Sequence, residues 1–388
     1  MLKKVLFALA LFIITATVIV FTVGPGYLEN SINRVIEHEP YSISEEARTL
    51  HKSLTVADLH SDTLLWNRDI LERGSRGHMD IPRLVEGNVA VQVFATVTKA
   101  PKALNYEENT ADSDQVTGAA ILQRWPVRTW NSLYERARYQ AQKLEKAARR
   151  SGGELVFIRN RSDLEAVLDA RISGQPNTGA LMATEGSHAL DGSLENVQNL
   201  YDEGFRMMGL HHFFDNRLGG SLHGVSKAGL SEFGRAVVHE MNRLGIIIDV
   251  AHSSEAVVRE VLALSSTPLV VSHTGVRGAC DQPRNISDGL MRSVAANGGL
   301  IGIGYWDGAV CDPTPAGIAK SIAYAIELVG VEHIALGSDY DGATSMYFDT
   351  SELVVLTQAL LDEGLRHAEI RAVMGENQLR FLRKHLPQ

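Results

Sequence analysis

Gly245-Ile246-Ile247-Ile248-Asp249-Val250-Ala251-His252 is followed, after a segment of helical period from Ser254 to Leu264, by Pro268-Leu269-Val270-Val271-Ser272-His273. Two short apolar, β-branched runs joined by an amphipathic segment read as a βαβ unit with parallel strands. Each run ends in a histidine with small polar residues behind it. Where parallel strands close into a barrel, reacting groups come from their C-terminal ends. The unit therefore suggests an architecture and the place of a site together.

The same rhythm extends both ways. Further short runs occur at Val56 to His60, Val89 to Val97, Gly179 to Thr184, Phe205 to Leu210, Gly299 to Tyr305 and His333 to Ser338, making about eight in all. Apolar residues at spacings of three and four fill most intervals, as in Ser231 to Leu244, Ser287 to Ala296 and Thr314 to Val329. Eight such units predict a (β/α)₈ TIM-type barrel over residues 51–388. Lys99 to Ser151 is long, polar and partly helical, and reads as an insertion forming a lid or rim. Leu155 to Ile158 is a further β-like run in that region.

The chain has 388 residues, 45% hydrophobic and 21% charged, with a formal net charge of -9. That balance suits one large core and excludes a long disordered chain. With no dense run of Lys and Arg, nucleic acid is not an expected partner. Lys3 and Lys4 precede an uncharged apolar run from Val5 to Val23, which Gly24-Pro25-Gly26 follows. Its length is close to the ~20 residues of a bilayer-spanning helix. Residues 1–24 read as a membrane anchor, with a cleaved secretory signal as the rival, and residues 25–50 as a juxtamembrane spacer. In either case the basic N-terminus stays cytoplasmic and the body is exported. Cys280 and Cys311 are the only cysteines; an oxidising compartment would let them pair, and two separate buried thiols are the alternative.

Metal-type ligands mark almost every strand end. His60 and Asp62 stand at i and i+2, on one face of an extended strand, where both reach one ion. Alone, such a pair is more commonly a strand-end histidine beside an aspartate that caps the next helix. Glu185 follows the apolar Ala180-Leu181-Met182-Ala183, where a buried carboxylate is costly without a partner, and bridging two cations would answer that cost. His252 and His273 supply the second half of a two-metal cluster. Strand four ends in His211-His212 and strand eight in Asp339-Tyr340-Asp341. Arg284-Asn285 lies beyond strand six, where a guanidinium could grip a substrate carboxylate in two-pronged geometry.

Asp58-Leu59-His60-Ser61-Asp62, Glu185-Gly186, Asp249-Val250-Ala251-His252-Ser253, Ser272-His273, Arg284-Asn285 and Gly337-Ser338-Asp339-Tyr340-Asp341-Gly342 resemble, in order, the membrane (renal-type) dipeptidases of peptidase family M19. The resemblance implies two Zn²⁺ ions, one held by His60, Asp62 and Glu185 and the other by Glu185, His252 and His273. It also implies that a metal-bridging hydroxide hydrolyses dipeptides, that His212 polarises the scissile carbonyl, and that Asp339 exchanges protons with the hydroxide. Substrate binding would involve His212, Arg284 and Asn285, and a homodimer is a common state in the family. His211 is the runner-up to His212, and Asp341 to Asp339. No counterpart is assigned to the family's tyrosine after strand seven, Tyr305 being nearest, and Phe213 to Asn216 match only in outline. Two other readings stand beside this one. Another binuclear amidohydrolase would cleave an N-acyl amino acid, lactone or phosphoester, but commonly with H-x-H and a carboxylated lysine. A non-catalytic, membrane-tethered peptide-binding barrel would lack ligands that are present here.

Overall fold

The computed structural model describes residues 1–388. Eight parallel strands form the expected closed barrel: β1 (Val56–Asp58), β2 (Val89–Phe94), β3 (Thr178–Thr184), β4 (Phe205–Gly209), β5 (Ile247–Asp249), β6 (Val270–Thr274), β7 (Leu300–Ile303) and β8 (Ile334–Leu336). β2 pairs with β3 at Val91↔Gly179, and β8 closes the ring on β1 at Leu336↔Asp58. Leu155–Ile158 stays outside the ring, paired with the first half of β3, while β4 pairs with the second half.

Alternation along the strands separates two apolar layers. Ala57, Val91, Leu181, Met207, Ile247 and Ala335 belong to an inner cluster that Leu379 and Leu382, on the helix Asn377–His385, also join. Val56, Met182, Met208, Ile248 and Leu336 belong to the larger cluster that packs with the outer helices. The helices start where the sequence signals a cap: Ser231 accepts from Gly234 N at 3.0 Å and Ser254 from Val257 N at 3.1 Å. Gly245 ends the first of these helices at φ +70°, the left-handed turn that leads directly into β5.

Two segments add to the barrel. Residues 99–151 form a rim containing the helices Val116–Leu122 and Leu133–Arg150. Buried Arg136 secures it, donating to Thr98 O at 2.7 Å, Thr129 O at 2.7 Å and Asp114 Oδ2 at 2.6 Å. The N-terminal helix, Leu2–Ile32, does not stop at Gly24-Pro25-Gly26. Its first part is apolar and uncovered by protein, as a membrane span would be. Beyond it, Pro25, Glu29 and Asn33 are buried, and Arg34–Val35 pairs in parallel with Ser345–Met346.

Candidate metal centre

Each predicted ligand reaches the barrel mouth from a strand end. His60 and Asp62 follow β1, with Asp62 N bonded to Tyr340 O at 2.9 Å. Glu185 follows β3, and its N donates to Thr96 O at 3.2 Å. Gly186 then turns the chain at φ +91°, where an added Cβ would meet the His188 ring at 2.3 Å, so glycine is required there. His252 follows β5, and His273 lies in β6.

Glu185 is the focus. Its Oε1 lies 3.6 Å from His60 Nε2, 3.3 Å from His252 Nε2 and 3.6 Å from His273 Nε2, while Oε2 lies 3.4 Å from His212 Nε2. His60 Nε2 is 3.5 Å from Asp62 Oδ1 and 3.9 Å from Asp339 Oδ1. All of these side chains are buried. Burial first, and then the nearby Asp62 charge, push the Glu185 and Asp339 carboxyls well above their ordinary values. Three crowded carboxylates with no cationic hydrogen-bond partner are unstable in low dielectric unless a cation joins them.

The donor set fits divalent cations. His60 Nε2, Asp62 Oδ1 and Glu185 Oε2 are buried without a hydrogen-bond partner. Donor atoms of His60, Glu185 and His273, of Glu185, His212 and His252, and of His60, Asp62 and Asp339 fall within 4.8 Å of one another in each group. Imidazole nitrogen with carboxylate oxygen is a zinc-type environment. A second layer fixes the rings. The Ser272 hydroxyl donates to Asp249 Oδ2 at 2.7 Å and lies 2.9 Å from His273 Nδ1, which leaves Nε2 facing the centre. Asp58 receives His60 N at 3.1 Å, Gln92 Nε2 at 2.9 Å and Ser338 N at 2.9 Å, tying β1, β2 and β8 together behind the ligands.

The remaining predicted residues separate by where they face. His212 lines the cavity, its Nδ1 bonded to Lys99 O at 3.0 Å. His211 turns away to Ser253 Oγ at 3.1 Å, so the runner-up is set aside. Asp339 borders the cavity. Asp341 is held instead by Thr63 Oγ1 at 2.7 Å, His78 N at 2.6 Å and the Arg68 guanidinium. Burial works to raise the Asp341 carboxyl, but Arg68, His78 and these donors hold it below its ordinary value. Arg284 is buried in the cavity wall, donates to His273 O at 2.9 Å and lies over the Trp306 ring.

Asn285 does not join it. Its amide bonds Gly275 N at 3.0 Å, Cys280 O at 2.7 Å and Ala309 O at 2.8 Å, which commits the side chain to its own loops. Tyr305 is likewise packed among Tyr340 and Phe348, outside the cavity. The cavity wall carries the aromatic residues Trp66, Phe213, Trp306 and Tyr106, the last two joined by a 2.9 Å bond from Trp306 Nε1 to Tyr106 Oη. That bonded pair is not apparent from the sequence: Trp306 follows the expected strand, and Tyr106 comes from the rim, where no periodic pattern marks it. Cys280 and Cys311 form a disulfide beside this wall.

The sequence profile described as membrane dipeptidase (peptidase family M19) matches residues 44–386. Among curated relatives, dipeptidase 3 of Mus musculus is 27% identical over 376 residues, covering 88% of this chain and 66% of its own length. The chain thus spans just under two thirds of that relative. A solved structure of dipeptidase AC, described as a metallo peptidase of family M19, superposes with a TM-score of 0.71 at 23% identity, covering 87% of this chain and all of its own. A Rhodobacter sphaeroides metallo peptidase, solved with a phosphinate mimic of the dipeptide L-Ala-D-Ala, gives 0.68 at 23% identity over 86% of this chain and 99% of its own. These two likenesses establish the barrel.

Proposed function

Because the chain belongs to the membrane dipeptidase family, peptidase family M19, we propose that it hydrolyses dipeptides at a two-zinc centre outside the cytoplasm. The observation that carries this reading is the Glu185 carboxylate, which meets Nε2 of His60, His252 and His273 through one oxygen. Two Zn²⁺ ions, held by His60, Asp62 and Glu185 and by Glu185, His252 and His273, would lower the pKa of a shared water toward neutrality and polarise the scissile carbonyl.

Asp339 borders the same space and serves as the proton carrier. As the oxygen of water bonds to the carbonyl carbon, Asp339 accepts its proton and passes it to the amine nitrogen when the C–N bond breaks. His212 stabilises the carbonyl oxygen as negative charge develops there. Its Nδ1–H is committed to a backbone carbonyl, and burial first lowers the ring's pKa to about 4, so the resting ring is neutral with a bare Nε2. Nε2 takes a proton from solvent as that oxygen becomes negative and returns it when the C–N bond breaks, so the ring is a cation only while the tetrahedral species lasts. Arg284 binds the substrate's terminal carboxylate, which favours dipeptides over longer peptides. Lys3 and Lys4, the uncovered apolar helix and the Cys280–Cys311 disulfide support the exported placement.

The test is hydrolysis of L-Ala-L-Ala, L-Ala-D-Ala and an N-acetylated control by the zinc-loaded chain. Cleavage confined to substrates with both termini free is the expected result. Equal cleavage of the blocked control would replace the dipeptidase reading with that of a broader amidohydrolase.

A further inference from the structure

The N-terminal helix reaches the reaction space. Leu28 and Ile32, one turn apart on one face, line the same cavity as Asp62, Glu185, His212 and Arg284, a space of about 470 Å³. Gly24, one turn earlier on that face, sits close enough to the rim helix that an added Cβ would lie 3.0 Å from Leu122 Cδ1. Leu65, Leu104, Val116 and Leu122 add apolar surface to the same cavity.

The helix is also fixed to the barrel along the adjoining face. Glu29 is 1% exposed, and its two carboxylate oxygens meet Arg68 Nε at 2.7 Å and Arg76 Nε at 2.6 Å. Arg68 also pairs with Asp341, two residues beyond Asp339. Asn33 Oδ1 accepts from Ala343 N at 2.8 Å, and Arg34 N donates to Thr344 O at 3.2 Å. The loop thus held has Asp339, Asp341 and Ala343 at φ +62°, +64° and +61°, conformations that need outside support in residues with a Cβ.

Val23 ends the apolar run, and Leu28 follows five residues later on the same helix. At ~1.5 Å rise per residue the cavity wall begins about 8 Å from the bilayer core. We propose that the end of the membrane helix is a specificity-determining wall of the substrate cavity, which holds its opening at the bilayer surface and favours dipeptides bearing a large apolar side chain. This rests on the dipeptidase reading and deepens it by naming the substrate class.

The experiment uses the full chain in lipid nanodiscs and reads the ratio of kcat/KM for L-Leu-L-Leu to that for L-Ala-L-Ala. Replacing Leu28→Asn with Ile32→Asn should lower that ratio about tenfold, the scale on which an apolar pocket discriminates. Leu28→Phe, a gentler change for folding, should lower it by narrowing the space. Tyr27→Ser, at an exposed position on another face, should leave the ratio as it is. A ratio unchanged in both cavity variants, with both dipeptides still cleaved, would make the helix end a tether only. Failure of the wild-type chain to cleave either dipeptide would overturn the dipeptidase reading, and this proposal with it.

Discussion

Asp339 and Asp341 stand two residues apart at the end of β8, and their surroundings give them different work. Asp341 is neutralised by Arg68 and bonded on both oxygens, whereas Asp339 borders the cavity beside His60 and Asp62. Asp339→Asn is therefore expected to retain bound metal and lose turnover by about 10²- to 10⁴-fold, the usual contribution of a positioned acid/base group. Steady-state kinetics with metal analysis on the same sample checks this, and an unimpaired kcat would remove Asp339 from proton transfer. At this scale the sequence was most legible for the cluster of imidazoles and carboxylates, because such residues recurring at strand ends converge on one point once the strands close into a barrel. It was least legible for neighbours. His211 and His212 are adjacent in the bend that follows β4, and one side chain enters the cavity while the other turns away. Nothing in the letters says which. Asn285 was misjudged for a related reason, since an amide beside an arginine serves a loop as readily as a substrate.

Among the elements, the loops after β6 and β7 depend on one another. The disulfide joins Cys280, in the first, to Cys311, after the short helix Asp307–Val310, and Asn285 bonds carbonyls in both. These loops carry Arg284 and Trp306. Exchanging both cysteines for serine reopens a link across 31 positions, with an expected loss of about 3 to 4 kcal/mol on the chain-entropy estimate. Urea unfolding of the two proteins measures it, and equal midpoints would show that the cross-link contributes no stability. The barrel strands were readable because short β-branched runs recur between amphipathic segments. The continuation of the N-terminal helix to Ile32 was not. Gly24-Pro25-Gly26 is a local stop signal, and it is overridden by ion pairs from Glu29 to Arg68 and Arg76 that lie far away in sequence. Tyr106 was hidden in the same way, since the rim's placement depends on tertiary bonds such as those of Arg136.

For the molecule as a whole, one barrel, one apolar helix and one buried cluster of imidazoles and carboxylates form a connected arrangement. The helix ends against the cavity, and the cavity ends on Glu185. Everything in the catalytic account depends on that carboxylate joining two cations. The direct test is metal content per chain, by elemental analysis after zinc loading and removal of excess, for the wild type and for Glu185→Gln. The account predicts about two zinc ions per chain in the wild type, and loss of metal together with nearly all dipeptide hydrolysis in the variant. Full zinc retention and full activity in Glu185→Gln, or a wild-type chain that binds no metal when supplied with it, would contradict the account.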